Sequence, residues 1–591
     1  MRHGPELLAG GGVRFRLWAP GAASVRVRVR DERGQRMLLL DALDDSWFSI
    51  DDPRARPASR YAFLIDADDR PVPDPASRFQ PDGVHEESEV VDVRVLERAR
   101  TPWRKPAWHE QVFYELHIGT FTPEGTYRSA MDRLDHLDQL GINAIELMPV
   151  AETPGAYNWG YDGVFPFAPA HRYGRPDDLV AFIEAAHRRG IAVYLDVVYN
   201  HFGPEGNYVG RYAPAFFTDR YRTPWGSAID FESPGNEPVG AFFTENATYW
   251  TATIGFDGLR LDATHAIYDS RSPDFLERFV RELASRDAAP ALIIENERND
   301  ARLLRAGFNA QWNDDLHHAL HVLVTGENAS YYEDFADRPT WYLGRALTQG
   351  FAYQGEPSRH KGGEPRGASA RDLPLTTFVG FLQNHDQIGN RALGDRITML
   401  APSEAVRAAL AILLLAPAPP LLFMGEEWAA STPFLFFSDF EPELGALVAA
   451  GRRSEFAAFP AFHEAEQQAA IPDPRARETF ARSVLNWDER TQEPHARWLA
   501  FYRAILRIRH NAVVPHIEEI SATGFDLIGE RGLRATWQLR AGEMLICDAN
   551  LDAHPCAGFV EEPIGAIIFG THGARYRAGI APAWSVRWTL A

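Results

Sequence analysis

Hydrophobic and polar positions change rhythm twice along this chain. From Gly12 onward, short runs alternate strictly, as in GVRFRLWAP, SVRVRVR, SWFSI and RYAFLID, and Gly, Pro and Asp clusters separate them. A period of two places every second side chain on one face, so these runs predict a small antiparallel β-sandwich of immunoglobulin-like, early-set type over residues 1–90. A charged, proline-bearing linker, VLERARTPWRKPAWHE, falls within 91–110.

The middle of the chain pairs apolar strand-like runs with helical patterns. The runs are VFYELHIG (112–119), AIELMPV (144–150), AVYLDVVYNH (192–201), GLRLDA (258–263), ALIIENE (291–297), FNAQWND (308–314), TFVGFLQNHD (377–386) and PLLFMGEE (420–427). SAMDRLDHLDQLG and DDLVAFIEAAHRRG read as amphipathic helices ending on glycine. Eight strand–helix units predict a parallel, closed (β/α)8 TIM barrel over 111–515. A Tyr-, Phe-, Pro- and Gly-rich insertion of about 202–250 follows the third strand, where such a length suggests substrate binding. ARWLAFYRAILRIRHN is expected to close the barrel. Alternation then returns in ATWQLR, MLICDAN, GAIIFG and SVRWTL, a second small β domain over 516–591.

Composition narrows the function. The net charge of −21 argues against a nucleic-acid partner, whose phosphates demand lysine and arginine. Cys547 and Cys556 are too few for a disulfide framework or a metal cluster. The apolar run AALAILLLAPAPPLLFM is broken by Pro417, Pro419 and Pro420, and so predicts a helix, a turn and a strand rather than a membrane span. MRHGPELLAGGGVRF lacks a signal-peptide core, and a cytoplasmic protein without a membrane partner is expected.

In a barrel of this kind the C-terminal ends of the strands meet at one mouth. The third strand ends in Asp196, Asn200 and His201, the fourth in Arg260 and Asp262, the fifth in Glu295 with Glu297 beyond it, and the seventh in Asn384, His385 and Asp386. Arg260 and Asp262 share a strand face, as an isolated structural ion pair or as a cation holding a working carboxylate ionised. Asp196 is expected to brace the following loop. Two carboxyls flanking a bond are the equipment of glycoside hydrolysis. Asp262 is expected to be kept ionised by Arg260, and Glu295 to sit in a drier place with its pKa raised. Asp386 would brace the sugar hydroxyls, and His201 and His385 would donate hydrogen bonds to the ring.

DVVYNH (196–201), GLRLDATH (258–265), the Glu295 strand end and LQNHD (382–386) resemble the four conserved regions of the α-amylase clan. The resemblance implies Asp262 as nucleophile, Glu295 as proton donor and Asp386 as transition-state stabiliser, with Arg260, His201 and His385 around them. Tyr161 in NWGYDG matches the aromatic under the sugar at the cleavage point. PDPASRFQPDGVH (73–85), NWGYDGV (158–164), NHFGPEGNY (200–208), YRTPWGSAIDF (221–231), QWNDDLHHALH (311–321) and QNHDQIGNR (383–391) are similar to the maltooligosyltrehalose trehalohydrolase family of that clan. That implies cleavage of the α-1,4 bond beside a terminal trehalose, with maltooligosyltrehalose as substrate, trehalose as product and no cofactor.

Two positions depart from the pattern. IENERND offers both Glu295 and Glu297, and alignment on Asn299–Asp300 favours Glu295. His265 stands where amylases commonly carry lysine. Asp314 and Asp315 in QWNDDLHH are candidates for the trehalose end, or caps of a helix start. Trp159, Tyr208 and Trp225 are candidate sugar platforms, and Asn200 a further substrate contact. Asn200, Asp219 and Asp230 could offer oxygens to Ca²⁺, but no ligand spacing calls for a metal. The rivals are a glycogen branching or debranching enzyme, and a binding or scaffold protein that has lost the chemistry.

Overall fold

The computed structural model describes residues 1–98, 101–286, 288–456, 465–539 and 542–591. Residues 99 and 100 of the expected linker lie outside the described residues, and a short helix, Val93–Arg98, precedes them.

The N-terminal alternation forms two four-stranded sheets. Val25, Val27 and Val29 point into the space between them and are fully buried, while Arg26, Arg28 and Arg30 point outward. Glu87 ties two of these arginines together by accepting from Arg28 and Arg30. Each face of the strand therefore has its own chemistry, as the period of two requires.

The barrel closes with all eight expected strands in sequence order. They are Phe113–Leu116, Ala144–Leu147, Ala192–Val197, Gly258–Leu261, Ala291–Ile294, Ala310–Trp312, Phe378–Phe381 and Pro420–Phe423. Every neighbouring pair is parallel, including the last with the first. Phe113, Tyr194, Ile293, Trp312 and Phe381 belong to one buried cluster within the barrel. Gly258 makes room for Tyr194: a Cβ there would sit 2.4 Å from the tyrosine ring and 2.3 Å from the Ala291 carbonyl.

The long apolar run resolves into a helix, Ser403–Leu415, a turn, and the eighth strand. After the third strand, a hairpin of Phe217–Thr223 with Gly226–Ile229 precedes a helix, Glu237–Thr248. The helix His495–Ile508 leads to a C-terminal sheet of five antiparallel strands. Trp588 and Trp537 stack at 5.4 Å, and their indoles donate to the Ala411 and Leu347 carbonyls of barrel helices. No helix among the described residues is long and apolar enough to cross a membrane.

Candidate active site

Arg260 is the hub at the barrel mouth. Its side chain is fully buried, with the guanidinium carbon 4.0 Å from the centre of the Trp312 ring. Nη1 donates to Asp196 Oδ2 at 2.7 Å and to Asp262 Oδ1 at 3.1 Å; Nη2 donates to Glu295 Oε2 at 2.8 Å. One planar cation thus fixes carboxylates from three consecutive strands. Asp196 lies opposite Arg260 in the parallel register. It does not brace the loop after it, as expected from the sequence, but accepts from Arg260 and from the Tyr161 hydroxyl at 2.7 Å.

The backbone assists. Ala263 has a φ of +40°, a left-handed conformation uncommon for a residue with a Cβ, and its amide donates to Glu295 Oε2 at 3.0 Å. Gly160 has a φ of +109°, and a Cβ there would lie 2.0 Å from the Pro149 carbonyl. That close approach sets Tyr161, whose ring stacks on His385 with centroids 5.1 Å apart.

His385 bridges two acids. Its Nδ1 lies 2.5 Å from Glu115 Oε1 and its Nε2 lies 3.4 Å from Asp386 Oδ1. Burial alone would lower its pKa, but Asp386 and Glu115 outweigh that and raise it to about 9, so the ring is an imidazolium, with Nδ1 donating to Glu115 and Nε2 in ion-pair range of Asp386. His201 is its opposite. Burial lowers its pKa to about 4, and its Nε2 contacts the Tyr161 carbonyl at 3.0 Å. A carbonyl can only accept, so the single proton of this neutral ring sits on Nε2 and Nδ1 has none to give. The Nε2–H, the donor expected for a sugar hydroxyl, is here directed at the Tyr161 carbonyl, so the ring orders the Tyr161 loop.

The two central carboxyls also depart from expectation. Burial, followed by the Glu295 charge, raises Asp262 well above the usual range despite Arg260. Burial acts on Glu295 too, but Arg260 and the Ala263 amide overcome it and the net direction is down. Burial likewise raises Asp386. With both acids gripping one guanidinium, the pair titrates as a unit, and the shared proton favours Asp262. The sequence gives no hint that Arg260 reaches across to the next strand.

Glu295 and Asp386 line one cleft of about 720 Å³ together with Asp314, His318, Tyr331, Lys361 and Arg366. Burial, followed by the charge of Glu295, raises Asp314 to about 8. Asp315 is fully buried and points elsewhere, accepting from the Ala352 and Tyr353 amides and pairing with Arg366 at 2.8 Å. It acts through Arg366 rather than on a ligand. Neither aspartate caps the helix Asp314–Thr325; Asn313 does. Trp159 is packed against Phe434, edge-on to His385, with its indole donating to the Leu435 carbonyl, so it backs the histidine instead of facing a sugar.

Glu297 also lines the cleft but is half exposed and paired with Lys361 at 2.9 Å. His265, lowered by burial, is 4.0 Å from it. Trp225 is 46% exposed and stacks on His201 at 4.3 Å; the Tyr208 hydroxyl is engaged with His85 at 2.7 Å. The buried Asn200 amide has no hydrogen-bond partner among the described residues. Asp219 accepts from Ser227, and Asp230 from the Glu232 and Ser233 amides.

Sequence reasoning missed Glu115, the partner of His385 on the first strand. It also missed Glu146, opposite Glu115 in register, whose carboxyl is buried with no hydrogen-bond partner among the described residues and raised by burial. Both break the apolar run of their strands, which was the available signal. The cleft wall from the segment between the sixth and seventh strands was missed as well, although its length alone marked it.

A closed parallel barrel with Glu295 and Asp386 lining an open cleft, and Asp262 tied to Glu295 through Arg260, is the architecture of the α-amylase glycoside hydrolases, and this chain is one. The family model of the alpha amylase catalytic domain matches residues 84–219, and that of a domain of unknown function, DUF3459, matches 521–588. The chain is 43% identical to the malto-oligosyltrehalose trehalohydrolase of Deinococcus radiodurans, covering 87% of this chain and 84% of the relative. It is 40% identical to that of Arthrobacter ramosus, covering 90% and 93%. A crystal structure of a putative alpha amylase from Salmonella typhimurium superposes with a TM-score of 0.92 at 41% identity, covering 100% of this chain and 99% of that one. The chain belongs to the malto-oligosyltrehalose trehalohydrolase family.

Proposed function

We propose that the cleft hydrolyses the α-1,4 glucosidic bond beside the terminal trehalose of a maltooligosyltrehalose, releasing trehalose with retention at the new reducing end. The observation that carries this reading is the shared guanidinium, which holds the Asp262 and Glu295 carboxylates on adjacent nitrogens at the mouth of an open cleft.

In the double displacement, an ionised Asp262 attacks the anomeric carbon while Glu295 gives its proton to the glycosidic oxygen, and the trehalose leaves as the alcohol. Water then attacks the glycosyl ester, losing its proton to Glu295 and freeing Asp262. The shared proton fits this sequence. A sugar whose anomeric carbon gains positive charge favours the ionised form of Asp262, so the proton moves to Glu295 as the reaction begins. The His385 imidazolium and Asp386 hold the hydroxyls of the same ring, and the exposed side of Tyr161 carries its apolar face. Asp314, Lys361 and Arg366, beside Glu295 in the cleft, face the leaving trehalose.

Product analysis tests the proposal. Incubation with maltooligosyltrehalose should release trehalose and an α-configured reducing end, with little action on plain maltooligosaccharides. Equal cleavage of both, or new α-1,6 branches, would refute it and point to the branching or debranching alternative. No trehalose at all, from a protein that still binds the sugar, would favour the scaffold reading.

A further inference from the structure

A second cavity of about 720 Å³ opens on the outer wall of the barrel, away from the mouth. It lies between the helix Leu134–Leu140 and the long helix His495–Ile508. Arg133, Arg490, Arg503 and Arg507 line it, and none of them makes an ion pair among the described residues. Arg133 and Arg490 lie over the Trp487 ring, 4.6 and 5.2 Å from its centre. Both cations are thereby anchored on that one ring, and the Arg133 Nε is buried with no hydrogen-bond partner among the described residues. Burial and then the nearby Arg133 and Arg503 charges lower the pKa of Arg490, a sign of mutual repulsion.

The acids nearby do not relieve this repulsion. Asp135 is taken by Arg189 and Glu427 by His136. Asp132, exposed at the rim, is outside ion-pair reach, and Asp488 faces Arg490 only at longer range. In a chain of net charge −21, four unpaired arginines converging on one hollow call for an anion. The volume exceeds what a bare oxyanion fills and falls within the roughly 300–1,000 Å³ of small-molecule sites. Ala496, Leu499, Ala500 and Ala504 give the hollow a small apolar stretch of wall, and Gln139 and Thr491 add uncharged polar groups.

We propose that this hollow binds a small organic phosphate: the arginine forks take the phosphoryl oxygens, and the apolar wall takes the organic part. Calorimetric titration of the full chain with glucose 6-phosphate, glucose and inorganic phosphate tests it. Glucose 6-phosphate should bind at least tenfold more tightly than either of the others, and more weakly as salt is added. The exposed pair Arg503→Glu and Arg507→Glu should weaken it at least tenfold while leaving kcat on the oligosaccharide unchanged. If that double variant melts abnormally, Arg503→Ala, which removes one charge and adds none, gives the same readout with a smaller loss. Glucose 6-phosphate binding no better than glucose or inorganic phosphate, or binding as well to a natively melting variant, overturns the proposal. So does competition by a saturating oligosaccharide, which would put the ligand in the barrel cleft.

Discussion

Glu115 is the most informative position to change, because its hydrogen bonds reach the cleft through His385. The glutamate contacts both the ring Nδ1 and the backbone amide of His385, at 2.5 and 3.0 Å. It helps raise the imidazole from 6.5 to about 9 against the pull of burial. That difference is worth about 3 kcal/mol in favour of the imidazolium, at about 1.4 kcal/mol per pH unit. The sign follows for a base whose folded pKa is raised: the charged ring is fully present below 6.5 and is lost as pH rises through about 9. In Glu115→Gln the charge is gone and the amide NH₂ opposes the His385 amide, while burial and Asp386 remain. The ring should then titrate near or below about 7, so at pH 8 only ~10% stays charged against ~90% in the parent. The pH profile of kcat on maltooligosyltrehalose is the assay. The alkaline limb should move down by about two pH units and kcat at pH 8 should fall roughly tenfold, with near-parental activity at pH 6. Circular dichroism and the melting temperature establish that the variant is folded. An alkaline limb left near 9 in a folded variant would refute the role given to the imidazolium.

Asp262→Asn should lower kcat/KM by on the order of 10⁴-fold with the fold intact, and an unchanged turnover would remove it as nucleophile. Asp315→Ala strands Arg366 and two backbone amides, so stability should drop by about 3 kcal/mol or more in denaturant titration, with KM rising more than kcat falls; a variant as stable as the parent would contradict the buried pairing. Asp314 has a raised folded pKa, so its ionisation costs stability progressively from about pH 4 up to about 8. Asp314→Asn should therefore melt higher than the parent at pH 8 and level with it near pH 4, while losing affinity for the trehalose-capped substrate; a gap independent of pH would argue against that charge. Trp225→Ala, at an exposed ring, should leave the melting temperature nearly unchanged and raise KM only if the His201–Trp225 stack borders the bound sugar.

The fold was legible because its signal is periodic. Alternating Val and Arg in SVRVRVR could only be a half-buried strand, and eight apolar runs separated by helices could only close in parallel. All eight barrel strands fall inside the stretches that the pattern marks out. The strand-end acids were legible for a related reason: charge at the end of an apolar run has to face something. What the pattern does not carry is reach. Nothing in GLRLD says that the Arg260 guanidinium will extend to Glu295 on the next strand, and that contact inverted the expected pKa order of the two acids. QWNDD did not distinguish Asp314 from Asp315, because adjacent residues at a helix start diverge by about 100° and only the packed structure decides which one meets the cleft. Trp159, one of three candidate platforms with core packing as the alternative, is packed against Phe434 and backs His385.

The wall carrying Tyr331, Lys361 and Arg366 belongs to a segment that contributes nothing to the grip on Asp262 and Glu295. On the proposed reading, bond-breaking and choice of leaving group occupy different stretches of chain. Exchange of residues 326–376 between related enzymes could retarget cleavage and leave the reacting machinery untouched.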